Sequence, residues 1–309
     1  MKELVSIIVP INNVESYINV CLDSLINQTY KNIEILLIDH QSNDYTMKIC
    51  KYYEKKDNRI RIIHKKTKNI ENKKNIGIKE AKGKYITFVE AGDKVEATFI
   101  NDMYNIMINK NVDIVCQDYY GINEKPTKKA QKIMIFTEDE ILEEYLKMTF
   151  RSNCYAKLYK KSLFKNILYP DYEIYDDIVT TYKLFHDATK LAYTKTRKYC
   201  LIEEKNHEYS DQDCLKKING LMEMLSFMET NYPQFTDRCK VKICYEAIDL
   251  FTKVHNIKYK KQLFEYIKLY RKYALKDTHM PLNMKYKVFD TLLGFSFLNT
   301  KYTILKREI

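Results

Sequence analysis

Six glycines in 309 residues leave no glycine-rich phosphate cradle, so any nucleotide bound here is held by other means. No run of about 18 apolar residues marks a membrane span, and the opening MKELVSIIVP carries no apolar segment long enough for a secretory leader. None of the eight cysteines (Cys21, Cys50, Cys116, Cys154, Cys200, Cys214, Cys239, Cys244) stands in a C-x-x-C pair or at zinc-site spacing. Most sit in apolar runs such as DIVC at 113–116, which predicts reduced core thiols in a cytosolic protein. There is no arginine-rich arm, no zinc-finger spacing and no internal repeat, and nucleic acid is excluded as a partner on that ground.

What the chain does have is enough apolar surface for a real core. Hydrophobic residues make up 45% of it and aromatics 13%, chiefly 27 tyrosines and 13 phenylalanines. A length of 309 exceeds what one core usually serves, so one large α/β domain with a smaller appendage is expected. Fifty-two basic against 41 acidic residues give a net charge of +11, which suits an anionic partner such as a nucleoside diphosphate or a lipid surface.

Periodicity supplies the order of elements. VSIIV (5–9), IEILLID (33–39), RIRIIH (59–64), KYITFVE (84–90) and VDIVCQDYY (112–120) read as strands, the first ended by Pro10. Between them, 15–29, 44–56, 72–82 and 97–110 read as helices, the third stopped by Gly83. This alternation predicts βαβ units and a mainly parallel sheet, with ligands bound beyond the carboxyl ends of the strands, at 10–13, 39–44 and 90–93. The stretch GINEKPTKKAQK (121–132) reads as a lid or connection. From about 211 to the end the pattern is helical, giving boundaries of 1–210 and 211–309.

Five segments, VSIIVP, CLDSLINQTYKNIEILLID, GIKEAKGKYITFV, KLYKKSLF and YDDIVTTYKLF, resemble in order and spacing the family 2 glycosyltransferases that build bacterial capsules and surface glycans, over roughly residues 3–210. The resemblance implies a Rossmann-like GT-A fold, a nucleoside-diphosphate sugar donor (a UDP-sugar foremost), a glycan or glycoprotein acceptor, and inversion at the anomeric carbon. Such transfer needs a carboxylate to take the acceptor's proton, and Mn2+ or Mg2+ or fixed positive charge to stabilise the departing diphosphate.

Carried onto this sequence, the base falls on Asp177 of Tyr175-Asp176-Asp177, with Asp176 at the acceptor site or tuning its neighbour; the alternative is that the pair caps the helix that follows. The family's Asp-x-Asp appears as Glu90-Ala91-Gly92 and then Asp93, so Glu90 and Asp93, with His207, are the candidate metal ligands, or Glu90 and Asp93 are ordinary loop acids. Pro10, Asn12, Asn13, Asp39, His40, Ser42, Lys74 and Glu90 are the candidate nucleotide-sugar contacts. Asn12 replaces the usual tyrosine, His40 the second acid of a pair, Lys68-Asn69 a Gly-Gly turn, Lys74 an arginine, and Ile202-Glu203-Glu204 an Arg-x-Arg, with Lys205 and His207 close enough to compensate. Two readings stay open: an active transferase with altered donor preference, or a degenerate homologue that partners or regulates an active one. The C-terminal Phe289, Leu292, Leu293, Phe295, Phe297 and Leu298, flanked by lysines, suit a peripheral site at the inner membrane face, an oligomer interface, or simple core packing.

Overall fold

The computed structural model describes residues 2–64, 72–127, 129, 131–171, 175–202, 210–278 and 282–305. The chain divides into two compact units, Met1–Tyr145 with Phe150–Asn206, and Leu146–Thr149 with His207–Ile309.

In the first unit the elements run β1 (Val5–Ile11), α1 (Ile18–Ile26), β2 (Ile33–Asp39), α2 (Thr46–Lys56), β3 (Ile60–His64), α3 (Lys73–Glu80), β4 (Tyr85–Phe88), β5 (Lys94–Val95), α4 (Phe99–Lys110), β6 (Ile114–Gly121), β7 (Ile133–Thr137), α5 (Asp139–Leu146), β8 (Lys157–Lys160), α6 (Asp176–Asp187) and β9 (Lys190–Leu201). The described strands form one sheet in the order β3-β2-β1-β4-β8-β6-β9-β5, with β7 also on β9. β3, β2, β1 and β4 are parallel, as successive right-handed crossovers require. Past β4 the sheet is mixed: β8 lies antiparallel to both β4 and β6, while β9 is parallel to β6 and antiparallel to β5 and β7.

Every residue of β2 is buried, because helices cover both faces of a parallel sheet and leave no side for polar alternation. The core on one face gathers Val5, Ile7 and Val9 of β1 with Ile35 and Leu37 of β2, and Cys21, Leu22 and Leu25 of α1. All eight cysteines are buried and free, each a small apolar filler.

Two local expectations change. β1 runs through Pro10 to Ile11 instead of stopping at the proline. α3 ends at Glu80 with Ala81 extended, so Gly83 is not a left-handed helix stop. Its reason is proximity: a Cβ there would lie 2.7 Å from the Ser6 nitrogen and 2.8 Å from the Leu4 oxygen, where the chain turns against β1.

The second unit holds α7 (Asp211–Asn231), α8 (Thr236–Lys253), α9 (Ile257–Lys276), α10 (Leu282–Asp290) and α11 (Phe295–Leu305). Leu221, Leu225 and Met228 of α7, Ile243 and Phe251 of α8, and Leu263 and Ile267 of α9 are buried. The Asp211 carboxylate accepts the backbone N–H groups of His255 and Asn256 at 2.9 and 2.8 Å, pinning the turn into α9. The C-terminal apolar cluster splits. Leu298 is fully buried and Phe295 meets Phe251 and Phe264 edge to face, whereas Phe289, Leu292, Leu293 and Phe297 stay exposed.

Gly83→Ala is expected to lower unfolding free energy by about 1–3 kcal/mol in urea titration, because backbone atoms of β1 cannot yield to the added methyl. Gly121→Ala, whose Cβ would meet nothing within 4 Å, serves as the control and should change stability by no more than about 0.5 kcal/mol.

Candidate active site

The carboxyl ends of β1, β2, β3 and β4 present their loops on one edge of the sheet, where a doubly wound fold binds its ligands. The first two loops are stitched together. Asn13, in the left-handed region at φ 50, donates its N–H to Ser42 Oγ at 3.1 Å and accepts the Asn43 N–H on Oδ1 at 2.9 Å. Val14 N–H reaches Thr46 Oγ1 at 2.8 Å. Asn13 and Ser42 thus shape the loop floor, while Asn12 is exposed beside them and Pro10 is partly buried in the strand.

Asp39, fully buried at the end of β2, accepts Ser42 Oγ on Oδ1 at 2.6 Å and faces His64 Nδ1 through Oδ2 at 2.7 Å. His64 was not singled out from the sequence, although strand register carries the signal: parallel pairing of β2 with β3 sets His64 directly beside Asp39. Next in the chain, His40 keeps a buried Nε2 without a hydrogen-bond partner.

A second cluster joins α3 to α6. Asn72 caps α3 by accepting the Lys74 N–H on Oδ1 at 2.9 Å and donates through Nδ2 to Asp176 Oδ2 at 2.8 Å. Lys74 Nζ lies 2.7 Å from Asp176 Oδ1 and 3.0 Å from Asp177 Oδ1. Tyr175, at φ 63, turns the chain so that both acids open α6, and the helix N-cap makes no side-chain cap bond. The two acids stand in the first turn of α6, where a helix start favours negative charge, and they also reach across to α3. The other oxygen of Asp177 accepts the Cys154 N–H at 2.9 Å.

The electrostatics follow from crowding. Burial would pull Lys74 down, but Asp177 and Asp176 outweigh it and hold the ammonium well above 10.5. Burial pushes Asp176 up from 3.8 to about 7, with Lys74 opposing and Asp177 reinforcing the rise. Glu90 contributes to the field at both Lys74 and Cys154, which puts it in the same neighbourhood. Lys74 is thus committed to the acid pair and not held out toward a diphosphate.

The carboxylate of Asp93 is taken up by the fold: Oδ2 accepts Tyr199 Oη at 2.7 Å and Oδ1 accepts the Ile202 N–H at 3.1 Å. Among the described residues no three His, Cys, Asp or Glu side chains are arranged to hold a metal. Lys68, Asn69, Glu203, Glu204, Lys205 and His207 lie outside the described residues. Gly92 offers no side-chain oxygen, both oxygens of Asp93 accept hydrogen bonds, and His207 lies outside the described residues, so no step below passes through a metal.

The sequence profile of Glycosyl transferase family 2 matches residues 6–168, more than half of the chain, which therefore belongs to that family. Glycosyltransferase GlyG of Streptococcus pneumoniae serotype 4 is 31% identical over 214 residues, covering 64% of this chain and 70% of that one. A poly(ribitol-phosphate) beta-glucosyltransferase of Bacillus spizizenii is 29% identical over 213 residues, 66% of this chain but only 33% of its own length. Among solved structures, S. aureus TarS 1-349 in complex with UDP-GlcNAc superimposes with a TM-score of 0.69 at 17% identity, over 97% of this chain and 88% of that one, a likeness of fold.

Asp176 yields a pH signature. The folded state keeps a proton there, up to about pH 7, that the unfolded chain has released once pH exceeds 3.8, so this group lowers stability progressively as pH rises through that window and no further above it. Asp176→Asn is expected to flatten that decline in urea titrations taken across the window; an unchanged slope would refute the assignment.

Proposed function

We propose that the chain is an active inverting glycosyltransferase that moves a sugar from a nucleoside-diphosphate sugar, a UDP-sugar foremost, to a hydroxyl of a surface-glycan acceptor, with Asp177 as the base. The observation that carries this reading is the assembled cluster: Lys74 and Asn72 arrive from a helix start about a hundred residues away and turn both acids of α6 into one array. Asp176 is the more deeply buried acid, and its pKa is raised to about 7, whereas the Asp177 side chain is 18% exposed and faces an acceptor more readily. A homologue reduced to a partner role has no use for so costly a buried array, which favours transfer over the regulatory alternative.

On the donor side, Asn13, Asp39 and Ser42 form the floor, and His40 Nε2 is left to hydrogen-bond the nucleoside. Countercharge for the departing diphosphate falls to Lys205 and His207, outside the described residues. Similarity to a poly(ribitol-phosphate) beta-glucosyltransferase and to a UDP-GlcNAc complex supports a nucleotide-sugar donor and a phosphate-rich surface polymer as acceptor. Asp177→Asn preserves the acceptor for Cys154 N–H, so binding of UDP should persist while turnover falls by about a hundredfold or more. Transfer at the unaltered rate would reject Asp177 as the base.

The second unit supports peripheral attachment to a lipid surface. Tyr286, Phe289, Leu292, Leu293 and Phe297 are 68, 54, 49, 64 and 43% exposed within twelve residues, with Lys285 and Lys287 interleaved. No described helix is long and apolar enough to cross a membrane. Phe289→Ser with Leu293→Ser is expected to weaken co-sedimentation with anionic vesicles roughly tenfold or more, since each side chain contributes about 1.5–3 kcal/mol on full burial. Unaltered co-sedimentation would remove the lipid assignment.

A further inference from the structure

Between Gln117 and Asp118 of β6, β9 carries two residues more than its partner strand can match. Gln117 pairs with Thr194 and Asp118 with Arg197, which leaves Lys195 and Thr196 without partners in β6. Such a bulge opens a sheet locally and re-aims its side chains. At this point a cavity of about 350 Å3 opens between α4 and the sheet, within the range of small-molecule sites. It includes none of the acids of the candidate active site.

Its polar lining is short of acceptors. Gln117 is only 6% exposed, yet its amide Nε2 has no hydrogen-bond partner. Native proteins leave few buried amide groups unpaired, and a ligand oxygen would complete this one. Thr194 Oγ1 and Thr196 Oγ1 lie 2.9 Å apart, so one hydroxyl donates to the other and a single hydroxyl hydrogen remains to be given away. Both oxygens already accept backbone groups, from Thr196 N–H and Gln131 N–H at 3.2 Å each.

Across from this donor wall α4 brings Met103 and Ile106, Ile133 adds apolar surface beside Thr194 in the sheet, and the lining charges of Asp102 and Lys198 cancel. An anion would find one ammonium offset by one carboxylate. A neutral ring bearing hydroxyl oxygens on its edges and C–H groups on its face matches both walls. We propose that this cavity is a carbohydrate-binding site, separate from the site of transfer, that takes one sugar residue with a hydroxyl oxygen on Gln117 Nε2 and its apolar face against Met103 and Ile106.

The inference does not rest on Asp177. Free glucose, galactose and N-acetylglucosamine would be titrated against the whole chain by saturation-transfer NMR. At least one is expected to bind saturably, with affinity reduced roughly five- to tenfold in Gln117→Leu, the loss of one net hydrogen bond. Because a buried substitution also perturbs packing, Asn105→Trp, on the exposed face of α4 at the cavity mouth, is the second variant and should block the site outright. Asp177→Asn should bind the sugar undiminished. The proposal is overturned if none of the three sugars binds saturably, if both cavity variants bind as the parent does, or if binding is lost in Asp177→Asn and kept in Gln117→Leu.

Discussion

A lysine ammonium with 9% of its side chain exposed cannot stay charged inside a protein without close anions, because desolvation alone costs several kcal/mol per ion after relaxation. Lys74 meets that requirement with two carboxylates, and the solution creates the next problem, since two acids and one base leave an excess negative charge in a tight space. The excess is relieved where burial is deepest, at Asp176, whose proton affinity rises. One geometric constraint therefore places two adjacent aspartates in different surroundings, one buried and one partly exposed. It also ties the start of α3 to the start of α6 through side chains.

The same edge stores backbone strain. Asn13, Gln41 and Tyr175 all occupy the left-handed region without being glycine, and each stands next to or within a site loop. A chain with six glycines has to meet such turns with other residues, and the neighbouring hydrogen bonds show what holds them there. Asn13 is bonded on both its backbone N–H and its side-chain oxygen, and the two acids after Tyr175 are anchored to α3 and to the Cys154 N–H.

The first half of the sheet was legible because β1 to β4 are fully buried or apolar runs separated by helices of clear period, and the register of parallel strands follows from that alternation. The second half was not. β5 has two residues and β8 four, too short for any period to show, and β9 carries a bulge that breaks its alternation. At the site, the family resemblance located Asp39, Lys74, Asp176 and Asp177, and it set Lys74 at a diphosphate because it stands where the family has an arginine. Its actual partners lie 102 and 103 positions away, a distance that no local pattern spans. Asp93 misled for the converse reason: it has the chemistry of a metal ligand, and only the fold brings Tyr199 and the Ile202 N–H onto its two oxygens.

Where local rules fail is itself informative. A core polar group without a partner lowers stability, and an apolar side chain of similar shape would relieve it at no cost to the fold. Two such groups in the first unit, His40 Nε2 and Gln117 Nε2, lie in different settings: one follows Asp39 in a loop at the carboxyl edge, the other faces a cavity beside the β9 bulge. Gln117 lines a cavity of ligand dimensions, whereas the hydrophobic core is closed with fully buried Val, Ile, Leu and aromatic side chains. At Gln117 the packing is thus chemically unfinished where a bound molecule can complete it.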